Sequence, residues 1–423
     1  SGDLRQGQMV IRDRVIGFVF GPIQAGLFLY EAQASGRFGA LTVAEIDADL
    51  VAMLREAGGV YTLNIAGPSG VRRARVGPLE ILNPRVAADR ALLVERTAEA
   101  DEAATAVPSI ACYEGAEGSI AWTLAQGLAM RAGPDPLFVY TAENHNYAAE
   151  ILREKVAACA ADAAGKAEFL NTVIGKMSGV VAGREHIAAL ALAPLREGAD
   201  RAFLVEEFNR ILVSRPSRPG RALEVFAEKD DLIPFEEAKL FGHNAAHALL
   251  GYLCRALDLE FIADAAGVPG LVPFVRDAFV LESGTALTRK YEGVDPLFTP
   301  GGYAAYAEDL LARMTMRSLS DTVARVGRDP ERKLGYDDRL IGTLRLCLGL
   351  GSEGARFAFG AAAAFAWKNA EATDDTDIYG ELTRLWGRED ERLAPPLRAA
   401  WRRFREWRKR GRPDLVQFWS ETR

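Results

Sequence analysis

Residues 15–26 of the sequence are VIGFVFGPIQAG, and they decide the fold that the chain is expected to adopt. The apolar run at residues 15–20 predicts a strand that is buried on both faces. The glycine and proline that follow predict a turn leading into a helix. Residues 40–46 (ALTVAEI) form a second apolar run, and residues 47–57 have helical periodicity. Strand, turn, helix and strand in this order predict a doubly wound parallel sheet.

The rest of the first half continues this alternation with one interruption. Residues 59–83 contain short β-like pieces separated by turn residues, which predicts a small antiparallel insertion. The further predicted elements are strands at 104–107, 137–141 and 167–170 and helices at 116–132 and 146–163.

The composition changes near residues 214–220 (SRPSRPG), which predict a linker or a surface loop. After about residue 235 the apolar spacing is helical nearly throughout. We therefore predict two domains: an α/β Rossmann-type domain at residues 9–231 and a mainly α-helical domain at residues 232–423. The predicted helices of the second are 239–257, 273–291, 302–314, 340–350 and 377–409, the last broken at Pro395 and Pro396.

The composition excludes several classes of protein. Hydrophobic residues make up 49% of the chain and charged residues 26%, as in ordinary globular proteins. The net charge of −7 argues against a nucleic-acid surface. Four cysteines without a CxxC pair argue against a zinc cluster or a disulfide framework. Without a run of 18 apolar residues or a signal-peptide pattern, we expect a cytoplasmic monomer or small homo-oligomer that binds neither membrane nor nucleic acid.

The turn after the first predicted strand is a candidate dinucleotide site. Such a site needs a tight turn, so that the pyrophosphate can reach backbone N–H groups at a helix N-terminus. Gly21 and Gly26 flank the turn, whereas Val19 and Gln24 stand where the fingerprint has glycines. The candidate cofactor-binding residues of this turn are Gly21, Pro22, Ile23, Gln24 and Gly26.

An acid at the end of the second predicted strand would bind the adenosine ribose. Glu45 has this position, and no arginine stands beside it in the sequence. A carboxylate repels a 2′-phosphate, so Glu45 favours NAD over NADP. Asp47 is the alternative ribose ligand, although it suits a helix N-cap better.

The segment KLFGHNAAH at residues 239–247 offers the groups needed to oxidise a secondary alcohol: a base for the hydroxyl proton and donors for the developing alkoxide. At about 100° per residue, Lys239, Asn244 and His247 fall within a face roughly 140° wide. His243 falls within the same face. A buried lysine has a lowered pKa and can act as a base. On spacing alone, ordinary helix polarity remains the competing interpretation.

Five stretches of the sequence, in order, resemble the mannitol dehydrogenase family of polyol-specific long-chain dehydrogenases. KLFGHNAAHALLGYL from Lys239 resembles the catalytic helix of the family, and GPIQAGLF from Gly21 its cofactor turn. DEAATAV, ending at Val107, resembles the strand that reaches the nicotinamide. The paired asparagine segments of the family are matched by AEN (142–144) and NTVIGKM (171–177). VARVGRDPERKLGYDDRLIG (323–342) is similar to the mannitol-1-phosphate 5-dehydrogenase branch. The resemblance covers about residues 10–350.

The resemblance implies a role for each matching residue. Lys239 would be the general base, Asn171 and Asn244 donors to the alkoxide, and His247 the ligand of a substrate hydroxyl. Val107 and Asn144 would lie near the nicotinamide, Asn144 also near the substrate. The family uses NAD and no metal. The implied reaction interconverts mannitol 1-phosphate and fructose 6-phosphate, or a related polyol and ketose.

A cluster of basic residues is a candidate site for a substrate phosphate. It consists of Arg328, Arg332, Lys333 and Arg339. The alternative is a network of ion pairs with the neighbouring acids Asp329, Glu331, Asp337 and Asp338.

Gly175 and Lys176 stand where many relatives carry an Asp-Arg pair, so the substrate preference could differ.

Two alternative functions remain open. One is a dehydrogenase of unphosphorylated polyols or a ketouronate reductase. The other is a binding module that has lost catalysis, an interpretation supported by the bulk of Val19 in the cofactor turn.

The basic tail at residues 398–412 also carries Trp401 and Trp407. We expect these tryptophans to pack on the second domain while the arginines are solvated.

Overall fold

The computed structural model describes residues 13–114, 117–208 and 210–422, which form two compact units. The first unit ends at Ile233 and the second begins at Pro234. The predicted start of the first domain at residue 9 lies outside the described residues. No helix formed by the described residues is long and apolar enough to cross a membrane.

The first unit contains two sheets. Their strands are β1 Asp13–Phe18, β2 Phe38–Ala44, β3 Tyr61–Gly67, β4 Gly70–Val76, β5 Glu80–Leu82, β6 Glu102–Thr105, β7 Leu137–Thr141, β8 Ala167–Val173, β9 Ser178–Ala182, β10 Arg201–Glu206, β11 Ile211–Ser214 and β12 Phe226–Lys229. The larger sheet has the order β12-β11-β8-β7-β6-β1-β2-β5. Six neighbouring strands of this sheet are parallel, in the order β8, β7, β6, β1, β2 and β5. The next strand, β11, pairs antiparallel to β8. This confirms the predicted Rossmann-type sheet, whose strand order reverses at β1.

The smaller sheet, with the order β4-β3-β10-β9, corresponds in part to the predicted insertion. β3 and β4 form the expected antiparallel hairpin. The expectation was wrong in two respects. β10 pairs parallel to β3, and β5, which lies within residues 59–83, pairs with β2 of the larger sheet. Both pairings join segments far apart in sequence, so local turn signals could not reveal them.

In the first unit, helices connect successive strands of the larger sheet, as βαβ units require. A helical segment at residues 22–35 follows β1, and its residues Gln24–Leu29 form a π-helix. The α-helices are α1 Tyr30–Ser35, α2 Ala48–Glu56, α3 Ala87–Glu99, α4 Ile120–Met130, α5 Ala148–Cys159 and α6 Arg184–Ala189, and the 3-10 helices are Ile110–Tyr113 and Ala163–Lys166.

β1 is an interior strand of the larger sheet, between β6 and β2, and its side chains enter two separate cores. Val15 belongs to one buried apolar cluster, and Ile16 and Phe18 belong to the other. All three side chains are at most 2% exposed. Burial of each contributes about 1.5 to 3 kcal/mol. The continuous apolar run therefore reflects a strand covered on both faces, as predicted.

The second unit is helical, as the sequence predicted. Its π-helices are Ala238–Asn244 and Ala278–Gly284, and its 3-10 helices are Ile262–Gly267, Pro296–Phe298, Arg317–Leu319 and Glu391–Leu393. Its α-helices are α7 Ile233–Glu237, α8 Ala245–Ala256, α9 Leu271–Asp277, α10 Thr285–Lys290, α11 Pro300–Met314, α12 Val323–Gly327, α13 Pro330–Lys333, α14 Ile341–Gly349, α15 Ala355–Lys368, α16 Ile378–Trp386, α17 Ala394–Lys409 and α18 Leu415–Glu421.

Of two predictions from proline-rich segments, one was wrong and the other is decided between its two alternatives. Pro395 and Pro396 do not break a helix; they lie in the first turn of α17. The first turn has no intrahelical acceptors for its N–H groups, so proline loses nothing there. Residues 215–220 lie in a surface loop between β11 and β12 within the first unit, so the surface loop is confirmed and the linker is not.

The aromatic side chains of the basic tail are buried, which confirms the expected packing. Trp401, Phe404 and Trp407 are at most 2% exposed, and the Trp407 indole donates to the Pro413 carbonyl at 2.8 Å. Arg405 pairs with Asp374 at 2.7 Å, and Arg402 is exposed. The basic charges of α17 thus face solvent or acidic partners.

We expect Trp407→Ala to lower the free energy of unfolding by about 3 to 5 kcal/mol, because it removes a fully buried ring. The matched control is Arg402→Ala on the exposed face of α17, which should change stability by less than about 0.5 kcal/mol. Denaturant unfolding followed by circular dichroism measures both. Equal effects of the two variants would contradict the packing of this helix.

Candidate active site

The turn after β1 keeps a glycine-like backbone at a position that is not glycine. Val19 has a φ of +71°, in the left-handed region that β-branched residues rarely adopt. Its N–H donates to the Ala44 carbonyl at 2.9 Å, which holds the turn against β2. A Cβ at Gly21 would meet no atom within 4 Å, so this part of the turn faces open space. The turn therefore combines a left-handed backbone at Val19 with open space at Gly21.

Gln24 replaces another fingerprint glycine, and Gly17 on β1 makes room for it. The Gln24 side chain is fully buried, and its amide atoms have no hydrogen-bond partner among the described residues. A Cβ at residue 17 would overlap the Gln24 amide. Gly26 is needed for a similar reason, because a Cβ there would overlap the Val205 side chain. Gln24 and Gly26 thus serve the packing of the helix and do not face solvent.

Glu45 connects the cofactor turn to the end of β2. Its buried carboxylate accepts the N–H groups of Phe20, Ile46 and Asp47, each at 2.8 Å. Three of its roughly four lone-pair sites are therefore used by the backbone. Sequence reasoning identified Glu45 but not these partners.

Asp47 caps α2, as its sequence position suggested. Its Oδ1 accepts the Leu50 N–H at 3.2 Å. Its Oδ2 lies 3.5 Å from Nη1 of Arg201 on β10. An arginine therefore does lie near this acidic segment. Because Arg201 is far from Asp47 in the sequence, no local pattern could have predicted this contact.

Val107 and Asn144 follow the carboxyl ends of the adjacent strands β6 and β7. Glu143, which sequence reasoning did not single out, joins these ends. Its buried carboxylate accepts the Val107 N–H at 2.9 Å and the Thr105 hydroxyl at 3.0 Å, and it is also bonded to the Tyr113 hydroxyl. Burial raises the pKa of Glu143, although these hydrogen bonds oppose the shift. Val107 is buried, and Asn144 is exposed at this edge of the sheet.

Asn171 lies on β8, and its amide is largely engaged by α5. Its Oδ1 accepts the Ala149 N–H at 2.9 Å, and its Nδ2 donates to Oε2 of Glu150 at 2.8 Å. A primary amide has two N–H donors. One N–H of Asn171 is therefore committed to Glu150, and the fixed orientation of the amide determines where the second one points.

In the second unit, Lys239 and Asn244 belong to the π-helix Ala238–Asn244. Hydrogen bonds in a π-helix run from residue i to residue i+5, so two residues five apart lie one turn apart on the same side. The assumption of 100° per residue was wrong for this segment, and the true geometry brings Lys239 and Asn244 closer together. His247 follows three residues later on α8, within reach of Asn244 on the helix surface.

The Lys239 ammonium is destabilised by its surroundings. Burial lowers the pKa of Lys239 to about 8; the nearby charge of Glu236 opposes this shift, and the positive charge of Arg339 adds to it. About half of Lys239 is therefore neutral near pH 8, and about a tenth near pH 7. A neutral amine can accept a proton, which an ordinary surface lysine does not do at this pH.

The two histidines of this helix have different environments. His243 is 6% exposed, and burial, with nearby positive charges, holds its pKa well below the usual range. His247 lies with its Nε2 3.2 Å from Oδ2 of Asp321. The two imidazole rings are 6.3 Å apart. His243 thus belongs to the core, and His247 is the histidine with a charged partner.

The candidate phosphate cluster divides into residues with different surroundings. Lys333 is 4% exposed and donates to the carbonyl of Val326 at 2.6 Å and to that of Arg328. Arg332 is exposed and lies 3.9 Å from Asp329. Arg339 is mostly buried, pairs with Asp338 at 2.7 Å and exerts its charge on Lys239.

The ion-pair interpretation of this cluster is thus partly confirmed, and the phosphate interpretation stays a prediction. Two of the four acids pair within the cluster, whereas Glu331 pairs with Lys368 at 3.0 Å and Asp337 with Arg345. Arg339 is the member of the cluster whose charge reaches Lys239. Within the described ranges, His, Cys, Asp and Glu side chains do not gather in any group of three or more that could hold a metal ion.

Comparisons with known proteins point to one family. The model of the mannitol dehydrogenase C-terminal domain matches residues 231–384. The mannitol-1-phosphate 5-dehydrogenase of Brevibacillus brevis is 32% identical over 298 residues, which cover 70% of this chain and 72% of that protein. The corresponding protein of Bacillus licheniformis is 31% identical over 319 residues, covering 74% and 78%.

A solved structure has the same fold over nearly the whole chain. It is the ternary complex of Pseudomonas fluorescens mannitol 2-dehydrogenase with NAD and D-mannitol. The TM-score is 0.70 at 16% identity, and the match covers 97% of this chain and 94% of that one.

The backbone of Val19 gives a direct test of the cofactor turn. We expect Val19→Gly to be more stable than Val19→Ala by about 1 kcal/mol, because only glycine adopts a positive φ without strain. The control is Ala52→Gly on the exposed face of α2, where glycine should be less stable than alanine by about 1 kcal/mol. Urea unfolding measures each difference. If Val19→Ala were the more stable of the pair, the left-handed conformation would be wrong.

Proposed function

This chain belongs to the mannitol dehydrogenase family, and on that premise we propose that it is an NAD-dependent oxidoreductase acting on a secondary CH–OH group of a polyol. We assign cofactor binding to the first unit and proton transfer to the second. The observation that carries the proposal is Lys239, whose pKa is lowered to about 8, in π-helical register with Asn244. The named relatives support the polyol as substrate.

The residues of the first unit fit a dinucleotide. The turn after β1 has a glycine-like backbone at Val19 and open space at Gly21, and a helix begins directly after it. Its first N–H groups, such as that of Ile23, have no acceptor within the helix and would hold the pyrophosphate. Glu45 would hold the adenosine ribose, and Val107 and Asn144 the nicotinamide end. When bound, NAD supplies the acceptor for the hydride that leaves the alcohol carbon.

The second unit supplies the proton chemistry. In the oxidation of the polyol, neutral Lys239 accepts the hydroxyl proton, and in the reduction of the ketose it returns that proton. The side-chain amide of Asn244 donates to the developing alkoxide, which stabilises its negative charge. The amide of Asn171 is a second candidate donor. His247 binds another hydroxyl of the substrate and orients it. No step in this scheme uses a metal ion.

We propose mannitol 1-phosphate and fructose 6-phosphate as the substrate pair, because the named relatives act on the former. Arg339 is the candidate ligand of the phosphate, since it is the basic residue of the cluster whose charge reaches Lys239. Arg332 is a weaker candidate because it is exposed, and Lys333 because it is bonded to two backbone carbonyls. An unphosphorylated polyol or a ketouronate is the alternative substrate.

We expect Lys239→Met to lower kcat about 10²- to 10⁴-fold, the usual contribution of a general base. The affinity for NADH, measured by fluorescence titration, should stay within about twofold. Lys409→Met, at an exposed position of α17, is the control and should keep full activity. A largely active Lys239→Met enzyme would refute the base assignment. Absence of NADH binding to the wild-type protein would favour a non-catalytic binding module.

The pH profile tests the same residue without substitution. Only the neutral amine of Lys239 can accept the hydroxyl proton, and its pKa is lowered to about 8. We therefore expect kcat for polyol oxidation to rise as the pH passes upward through about 8 and to level off above it. Ketose reduction, which needs the protonated amine, should fall over the same range. Parallel profiles in the two directions would contradict this role.

Arg339→Gln tests recognition of the phosphate. We expect kcat/KM for fructose 6-phosphate to fall about 10- to 100-fold, the loss of a charge-assisted hydrogen bond. The ratio to kcat/KM for fructose is the decisive quantity, because loss of the Arg339 charge also raises the pKa of Lys239 and affects both substrates. Arg332→Gln is the matched control. An unchanged ratio would favour an unphosphorylated substrate, with tagaturonate as the next to be assayed.

A further inference from the structure

We propose that Asp321 is a positioning residue that fixes the tautomer of His247, so that Nδ1 is the nitrogen left to accept a hydrogen bond from a substrate hydroxyl. This inference rests on the proposed function for the identity of the ligand. It concerns a residue outside every motif that the sequence analysis singled out. The geometry around His247 and the state of Asp321 carry it.

His247 and Asp321 meet through one pair of atoms. His247 lies on α8, and Asp321 lies two residues before the start of α12. The Nε2 of His247 is 3.2 Å from Oδ2 of Asp321, within ion-pair distance, although the ring is not aligned for a regular hydrogen bond. This Nε2 has almost no accessible surface. A ligand can therefore contact His247 only through the rest of the ring, whose other hydrogen-bonding atom is Nδ1.

Asp321 is itself firmly held. Its carboxylate is 4% exposed and accepts Nε and Nη2 of Arg325 at 2.6 and 2.7 Å. Its backbone carbonyl accepts the Ile262 N–H at 2.9 Å. Burial opposes ionisation, but the nearby His247 and the hydrogen-bonded Arg325 outweigh it and lower the pKa of Asp321 to about 2. Asp321 is therefore a carboxylate at every pH at which the protein is used.

An ionised carboxylate can only accept hydrogen bonds. A bare Nε2 lone pair 3.2 Å from this carboxylate oxygen would be repelled by it, so the contact favours a proton on Nε2, and in the neutral imidazole Nδ1 is then an acceptor. The neighbouring ring of His243, 6.3 Å away, is buried and uncharged. The consequence for the neutral imidazole is directional: its Nδ1 accepts from a hydroxyl and has no proton to offer a carbonyl oxygen. It is suited to a hydroxyl that remains a hydroxyl on both sides of the reaction.

The chain contains four histidines, which makes the tautomer directly observable. We expect long-range ¹⁵N–¹H spectra of the full-length protein, labelled on histidine, to show His247 protonated at Nε2 only. A His247→Gln sample assigns its signals. In Asp321→Asn the signals should shift towards a mixture of the two tautomers. Protonation of Nδ1 in the wild type, or an unchanged tautomer in Asp321→Asn, would overturn the proposal.

Kinetics separate this role from a merely structural one. We expect Asp321→Asn to raise KM for the polyol about tenfold, as for one misdirected hydrogen bond, with a smaller change in kcat and unchanged affinity for NADH. Arg317→Gln, which removes an exposed ion pair with Asp264 in the same unit, should keep the wild-type tautomer and KM. An unchanged KM in Asp321→Asn, or equal effects of both variants, would also overturn the proposal. Failure of the wild type to turn over any polyol, with the tautomer as expected, would instead count against the proposed function.

Discussion

The burial of β1 on both faces is the constraint on which the first unit depends. Val15 enters one core and Ile16 and Phe18 the other, so the strand offers no face to water. A sheet around such a strand must be covered by helices on both sides, which in turn requires parallel strands joined by crossovers. The carboxyl ends of those strands then meet at one edge. The cofactor turn, Glu45, Val107 and Asn144 share that edge for this reason.

The second unit depends on a different local device. A regular α-helix would place Lys239 and Asn244 on divergent directions of its surface. The π-helix Ala238–Asn244 aligns residues that are five apart. The proposed chemistry, in which a base and a donor act on one hydroxyl, is served by this alignment. The surrounding packing sustains the unusual turn, as it does for the π-helix Gln24–Leu29 after the cofactor turn.

The sequence allowed the fold class to be predicted because its signals are local and repeated. Apolar runs gave the parallel strands, helical periodicity gave the second unit, and Asp47 was identified as a helix cap. The errors have a common cause, which is dependence on tertiary contacts. The pairing of β5 with β2 and of β10 with β3 joins distant segments. The π-helical turn could not be foreseen from a rule that assumes 3.6 residues per turn.

The candidate site shows the same division. The types and spacing of Lys239, Asn244 and His247 were visible in the sequence, and resemblance to a family gave them roles. Their partners were not visible. Glu143, Asp321 and Arg201 each reach a site residue from a distant part of the chain. A carboxylate on a strand end or before a helix has no distinctive pattern, so only the folded chain reveals what it holds.

The pairing of Gly17 with Gln24 has a consequence for how this protein can change. Glycine at residue 24 alone would match the common dinucleotide fingerprint, yet it would leave a void of glutamine size between β1 and the following helix. A larger residue at 17 alone would collide with the glutamine. Substitutions at the two positions are therefore tolerated together more readily than one at a time. Among related sequences these positions should vary as a pair, and a design guided by the consensus at each position separately would weaken the protein.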